Sequence, residues 1–141
     1  MNRAHFALLA APALTSACLV YEEGRPGPVN TPPDLYWGEA GCYWDDYYRD
    51  DIVYFDAEAD DMDGVFDVVA VYADVYDLRN EQWVDSFELY PTEDPVYWFS
   101  DWLGSTTWVD CAYPSYVVDL VAYDSFDAFD VLTVDFYGYA H

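Results

Sequence analysis

The chain has 141 residues, carries 28 Asp and Glu against four Lys and Arg, and has a formal net charge of −24 at pH 7. This charge argues against DNA, RNA and anionic lipid headgroups as direct partners, because proteins bind them through clustered Lys and Arg. Aromatic residues make up 21% of the sequence, which sets the chain apart from disordered acidic tails and predicts one folded domain with one core.

The N-terminal residues have the pattern of a signal segment. Arg3 precedes an apolar stretch that is too short to span a bilayer, and small residues follow. The sequence Thr-Ser-Ala-Cys that ends at Cys18 resembles the lipobox of bacterial lipoproteins. The resemblance implies a signal peptide over residues 1–17 and acylation of Cys18, and Leu19 is similar to the residue found there in lipoproteins forwarded to the outer membrane or cell surface. Ordinary secretory cleavage near Ala17 is the alternative.

Residues 18–34 are predicted to be a tether. After Cys18 comes LVYEEGRPGPVNTPPD, which contains four prolines and two glycines. Such a stretch forms neither a helix nor a central strand, and it extends at roughly 3 Å per residue. We therefore expect a semi-rigid spacer between the membrane of the bacterial cell envelope and a folded domain over residues 35–141. No later segment is long and apolar enough to be a transmembrane helix.

The cysteine count supports an exported protein with one modified thiol. The chain has three cysteines, so acylation of Cys18 leaves Cys42 and Cys111 as a pair. A disulfide between them is the default expectation in an oxidising compartment. Closing so long a loop stabilises a fold by about 4 kcal/mol in the chain-entropy account. Two free buried thiols are the alternative.

Most of the folded domain is predicted to be β-structure. Residues 51–60 alternate apolar and polar side chains, which indicates a strand with one buried face. An acidic Asp-Gly turn follows, so residues 65–77 are expected to be the second strand of a hairpin. Residues 38–51 lack this alternation and are expected to form an irregular loop or one helical turn. Further strands are predicted at 83–90, 96–102, 106–113, 116–124 and 130–138, which together favour an antiparallel sandwich of two sheets with about seven strands.

Two segments carry a resemblance to a known fold family. Tyr116 begins a strand whose alternate residues are apolar, and YDSFDAFD follows; this resembles the last hairpin of fibronectin type III and bacterial immunoglobulin-like domains. AEADDMDGVFDVVAVYADVYD resembles the passage from the second to the third strand of bacterial immunoglobulin-like modules. The resemblance implies an immunoglobulin-like β-sandwich in which the Tyr116 hydroxyl bonds backbone upstream of it, and it implies nothing about function.

The residue inventory favours a non-catalytic protein. Beyond the signal segment the only histidine is His141, and the chain has no lysine. This removes Ser-His, Cys-His and Schiff-base catalysis together with His-ligated zinc. A carboxylate-based hydrolase is the remaining enzymatic alternative.

The acidic turn after the first predicted strand is a candidate calcium site. Asp56, Glu58, Asp61 and Asp63 offer the oxygen ligands that calcium prefers. Their spacing does not fit an EF-hand loop, and Asp63-Gly64 is explained by turn chemistry alone. We therefore expect no cofactor, with a structural calcium ion as the alternative.

Aromatic residues give the second candidate site. Trp37, Trp44, Trp98 and Trp102 are candidates for a flat platform that stacks on sugars, although large rings also fill the core of a small sandwich. The sequence as a whole favours a non-catalytic cell-envelope or surface lipoprotein module, adhesive or structural, attached to the membrane by its lipid anchor. Its partner is expected to be a protein or a glycan and not a nucleic acid. A carbohydrate-binding module is the alternative.

Overall fold

The computed structural model describes residues 29–113 and 115–138, and it contains seven β-strands. Two short 3-10 helices, Val65–Asp67 and Gly104–Thr106, follow the second and fifth strands, and the described part of the chain has no helix that is long and apolar enough to cross a membrane. Cys18, the signal segment and most of the predicted tether lie outside the described residues. The strands are β1 (Asp34–Asp45), β2 (Asp50–Asp60), β3 (Val68–Asp77), β4 (Gln82–Pro91), β5 (Tyr97–Leu103), β6 (Tyr116–Asp124) and β7 (Phe129–Tyr137).

The strands form one closed sheet in the order β1-β2-β5-β4-β3-β6-β7. Neighbouring strands are antiparallel except at the closing join, where β7 runs parallel to β1. That join consists of the pairs Ala40 with Phe136 and Gly41 with Tyr137. The sheet therefore has no free edge between its first and last strands.

The prediction of an open immunoglobulin-like sandwich is wrong, because the sheet closes into a seven-stranded barrel. Besides the β1–β7 join, closure depends on a second narrow pairing of β4 with β5, in which Tyr90 faces Phe99 and Pro91 faces Trp98. Inward and outward residues alternate along the strands of a sandwich and of a barrel alike. The hydrophobic pattern therefore predicted β-structure but did not distinguish the two architectures.

Residues 38–51, expected to be irregular, instead contain most of β1 and a turn. Glycine usually weakens a strand, and Gly38 and Gly41 interrupt the alternating pattern from which a strand is predicted. Both glycines lie where another strand comes so close to β1 that a side chain would clash with it. A Cβ on Gly41 would lie 2.6 Å from the carbonyl oxygen of Tyr137, and one on Gly38 would lie 2.1 Å from Cδ1 of Leu120.

The strand predicted at 106–113 is also wrong, because these residues form the end of the second 3-10 helix and a series of turns. Val109 and Cys111 are nevertheless buried against the core, which explains their apolar character. The segment is fixed by Tyr116, whose hydroxyl accepts a hydrogen bond from the backbone N–H of Asp110 at 3.1 Å. The expected bond between the Tyr116 hydroxyl and upstream backbone is therefore present.

The predicted hairpin of residues 51–60 with 65–77 does not form. The first of these strands, β2, pairs with β1 and β5, whereas β3 pairs with β4 and β6. Residues 61–67 connect the end of β2 to the start of β3 through a turn and a 3-10 helix. This crossing brings the acidic segment beside the turn between β6 and β7.

The predicted disulfide between Cys42 and Cys111 is present, with Cα atoms 5.8 Å apart. Cys42 lies on β1 beside the closing join, and Cys111 lies in the segment that leads to β6. Both residues are buried. The bond therefore ties the glycine-containing first strand to a turn segment that has no strand partner.

Aromatic rings fill the centre of the barrel. Phe55 is fully buried and stacks on Phe87 with ring centroids 4.7 Å apart, and Phe87 lies 5.7 Å from the ring of Trp102. Alternate residues of the other strands complete a single continuous core. This packing agrees with the alternation read from the sequence.

We expect Tyr116→Phe to lower the free energy of unfolding by about 1 kcal/mol, because it removes the hydroxyl that accepts from Asp110 and leaves the ring packing in place. Chemical denaturation of both proteins with the disulfide intact measures the difference. An unchanged unfolding midpoint would show that this bond does not hold the segment before β6.

We expect Gly41→Ala to lower the free energy of unfolding by about 2 kcal/mol, because the new methyl group meets the backbone of β7 and pushes the closing strand away. Gly38→Ala is the comparison for crowding away from the closing join, since its methyl group meets the buried Leu120 side chain and not the backbone of β7. Thermal unfolding compares the two variants. An unchanged unfolding midpoint in Gly41→Ala would contradict this account of closure.

Candidate functional site

The structure divides the four residues predicted to bind calcium between two places. Asp56 and Glu58 project from the outer face of β2, because the intervening residues of that strand are buried. Asp61 and Asp63 lie in the crossing segment after β2. The first pair and the second pair therefore do not form one set of ligands.

Asp61 instead meets two other carboxylates, Asp67 and Asp124, and we call these three residues the carboxylate cluster. One ligand oxygen from each residue lies within 4.8 Å of the others. Asp67 ends the first 3-10 helix, and Asp124 ends β6. Sequence reasoning selected Asp61 but not Asp124, because only the pairing of β3 with β6 brings the end of β6 to the crossing segment.

Asp124 is held as a buried anion. It is 1% exposed, and its Oδ1 accepts hydrogen bonds of 2.8 Å from the backbone N–H groups of Phe126 and Ala128. Its Oδ2 accepts from Nδ2 of Asn30 at 2.6 Å. Burial alone would raise the pKa of Asp124, but these hydrogen bonds outweigh it and lower that pKa from its ordinary value.

Asp61 is also buried, but its pKa is shifted in the opposite direction. It is 4% exposed, and its Oδ1 accepts from the backbone N–H of Asp63 at 2.8 Å. Its Oδ2 is buried and has no hydrogen-bond partner among the described residues. Burial is the main cause that raises the pKa of Asp61, and the nearby charges of Asp63, Asp67 and Asp124 add to it.

The carboxylate cluster contains further acceptors but no cationic side chain. Oδ1 of Asn30 is buried without a partner, as is Oδ2 of Asp61, within the part of the chain that the structure describes. Only Arg49 and Arg79 carry a formal positive charge between residues 29 and 138. They lie in the β1–β2 and β3–β4 turns, at the far ends of β2 and β3, about 30 Å away at the rise of a strand. No described cation therefore balances the cluster.

A second arrangement lies on the outside of the barrel, where β1, β2 and β5 present rings and carboxylates together. Strand register sets their order: Trp37, Glu58 and Tyr97 form one row, and Glu39, Asp56 and Phe99 form the next. We call this surface the acidic aromatic face. Its members are Trp37, Glu39, Tyr54, Asp56, Glu58, Tyr97, Phe99 and Asp101.

Tyrosine hydroxyls fix two carboxylates of the acidic aromatic face. Tyr54 donates to Oε1 of Glu39 at 2.9 Å, and Tyr97 donates to Oδ1 of Asp56 at 2.6 Å. Burial, followed by these hydrogen bonds, raises the pKa of both tyrosines to about 12. Both phenols are therefore neutral donors at neutral pH, and they hold the carboxylates in defined positions.

This face also carries a ring stack and two further carboxylates, Glu58 and Asp101. Trp37 and Tyr97 stack with centroids 6.5 Å apart and planes inclined by 24°. The pKa of Asp101 is raised by burial and by the charge of Asp56. Flat rings and carboxylates thus lie side by side across three neighbouring strands.

The four tryptophans predicted to form a sugar platform do not share one surface. Trp98 is 5% exposed, and Trp102 packs on Phe87 in the core. Trp37 and Trp44 are exposed on β1, but they are seven residues apart, about 23 Å at the rise of a strand. The indole N–H of Trp44 donates to Asp46 at 3.0 Å. Of the four, only Trp37 belongs to the acidic aromatic face.

Comparison with protein-family models, curated proteins and solved structures gives no match to this chain, so its function must be inferred from the two arrangements described above.

Proposed function

We propose that this chain is a non-catalytic, lipid-anchored module of the bacterial cell envelope that adheres to a cationic partner through the acidic aromatic face. The observation that carries the proposal is the grouping of four carboxylates, two of them fixed by tyrosine hydroxyls, with four aromatic rings on the outer face of three adjacent strands. A surface of this kind binds by complementary charge and ring stacking, and it requires no reaction.

Charge identifies the class of partner. Glu39, Asp56, Glu58 and Asp101 give this face four carboxylates, and the positive side chains of the described residues lie in turns outside it. A guanidinium group pairs with carboxylates and also stacks on an aromatic ring, where the cation–π contact contributes about 0.5–1 kcal/mol at an exposed site. We infer that the partner is a protein segment rich in arginine.

Attachment and location rest on the sequence. The lipobox-like residues before Cys18 and the Pro-rich stretch after it support an anchor and a spacer. The Cys42–Cys111 disulfide agrees with folding in an oxidising compartment. A module placed on such a spacer presents its acidic aromatic face to partners beyond the membrane surface.

The binding test uses the mature chain with a hexa-arginine peptide and a neutral hexa-citrulline peptide at 150 mM NaCl. Glu39→Gln with Asp101→Asn should weaken binding of hexa-arginine about tenfold, since each partly exposed charge contributes somewhat under 1 kcal/mol. Glu88→Gln with Asp135→Asn is the matched control, because both residues are exposed on other strands and the charge change is equal. Isothermal titration calorimetry measures the dissociation constants.

Ring contacts are tested in the same titration. Trp37→Ala should weaken binding several-fold, whereas Trp108→Ala should leave it unchanged, since Trp108 is 81% exposed and lies outside the face. Equal losses in the two charge variants would show that only net charge attracts the peptide, and would contradict a specific face. Tight binding of neutral oligosaccharides that is lost in Trp37→Ala would favour a carbohydrate-binding module instead.

Anchoring gives a separate prediction. The protein expressed in a bacterial host should partition with membranes and incorporate labelled palmitate, and Cys18→Ala should abolish both because it removes the acylated thiol. Cys42→Ala with Cys111→Ala is the control, since it changes two cysteines and leaves Cys18 in place. A wild-type mature protein that is unlabelled and begins downstream of Cys18 would contradict the anchor.

A further inference from the structure

We propose that the carboxylate cluster of Asp61, Asp67 and Asp124, together with Asn30, binds one calcium ion that joins three chain segments at one end of the barrel. The proposal is independent of the acidic aromatic face. It goes beyond adhesion because it assigns a ligand to a different part of the molecule.

The strongest observation is the unpartnered carboxylate oxygen of Asp61. Asp61 is 4% exposed, and its Oδ2 accepts no hydrogen bond from the described residues. A buried acceptor without a donor is costly, and an ordered water or a metal ion satisfies it; among three carboxylates only the metal ion also offsets their charge. The Asn30 side chain provides a second such oxygen, because its Nδ2 is used on Asp124 while its Oδ1 has no partner in the described part of the chain.

The distances suit one ion. The three carboxylate oxygens lie within 4.8 Å of one another, which is about twice a calcium–oxygen distance of 2.3–2.6 Å. One ion between them would contact all three. It would also neutralise charges that otherwise repel one another at close range.

The donor set selects a hard cation. Every available ligand is a carboxylate or amide oxygen, and the two cysteines of the described chain are occupied by the disulfide. Zinc and copper prefer nitrogen and sulfur ligands, whereas calcium accepts six to eight oxygens in irregular geometry. Magnesium usually retains several waters and relies on one or two carboxylates, so three protein carboxylates favour calcium. An open cleft of about 620 Å³, lined in part by Asn30, Asp63 and Asp67, admits water for the remaining positions.

The ion would connect segments that are distant in sequence. Asn30 lies four residues before the start of β1, Asp61 and Asp67 belong to the crossing between β2 and β3, and Asp124 ends β6. Hydrogen bonds already link these segments: Thr31 N–H donates to Oδ2 of Asp63, and Ser125 N–H donates to the carbonyl oxygen of Asp67 at 3.1 Å. Calcium would therefore stabilise the end of the barrel at which the chain enters from the tether.

The test is thermal unfolding of the chelator-treated mature chain at constant ionic strength, with calcium, magnesium or sodium as the added ion. Calcium should raise the melting temperature in a saturable way by about 5–10 °C at concentrations well above its dissociation constant. Half of the effect should be reached at about 1 mM or below, the range of extracellular calcium modules. Isothermal titration calorimetry should give one ion per chain.

Asp61→Asn tests the ligand assignment. It keeps the shape of the side chain and removes its charge, so the ion-free variant should melt no lower than the ion-free wild type, while its calcium increment disappears. A purely structural role for Asp61 would instead lower the melting temperature with and without calcium. Asp135→Asn is the control, because Asp135 is exposed on β7 and the variant should keep the full increment.

Three results would overturn the proposal. They are equal effects of calcium and sodium at equal ionic strength, a calcium increment that persists in Asp61→Asn, and a saturable response to magnesium but not to calcium. If Asp61→Asn does not fold, Asp67→Asn replaces it, and the calorimetric stoichiometry of the wild type decides whether an ion binds. None of these measurements depends on hexa-arginine binding, so failure here is distinguishable from failure of the proposed function.

Discussion

The parallel pairing of β7 with β1 is the contact on which the rest of the structure depends. It joins the first and last strands of the sheet and leaves no open edge between them. It is possible because Gly41 lets the backbone of β7 come close, and the neighbouring Cys42 carries the disulfide that holds the segment before β6. On its other side β1 pairs with β2 along a long antiparallel ladder, which aligns the outer residues of the acidic aromatic face.

The sequence predicted those strands whose side chains alternate with period two. All of β2 to β7 were identified, with small shifts at their ends, because each packs one face on the core. The first strand was missed because Gly38 and Gly41 remove the side chains on which the pattern depends. Residues 106–113 are the opposite case: they are apolar enough for a strand, but they bury Val109 and Cys111 from a series of turns.

The candidate sites show the same limit. Asp61 was selected from its neighbours in sequence, but its partner Asp124 becomes close only because β3 pairs with β6 in a register that sets Val68 opposite Asp124. The prediction for the tryptophans rests on their rings alone. Side chains alternate between the two faces of a strand, and this alternation places Trp98 in the core and Trp37 on the outside. Local composition suggested which chemistry was available. Pairing between distant strands decided where that chemistry came together.

The narrowness of the β4–β5 pairing has a mechanical consequence. Only two residue pairs and one adjoining hydrogen bond, from Thr92 N–H to the carbonyl oxygen of Tyr97, join these strands. We call this β4–β5 pairing the seam. It is therefore a part of the barrel wall at which two strands separate easily when they are pulled apart. A chain pulled from the end before β1 and held on the outer face of β1, β2 and β5 carries the load through the long β1–β2 and β2–β5 ladders. The load path thus bypasses the seam, and force applied between these two points would be carried by the strands with the longest ladders.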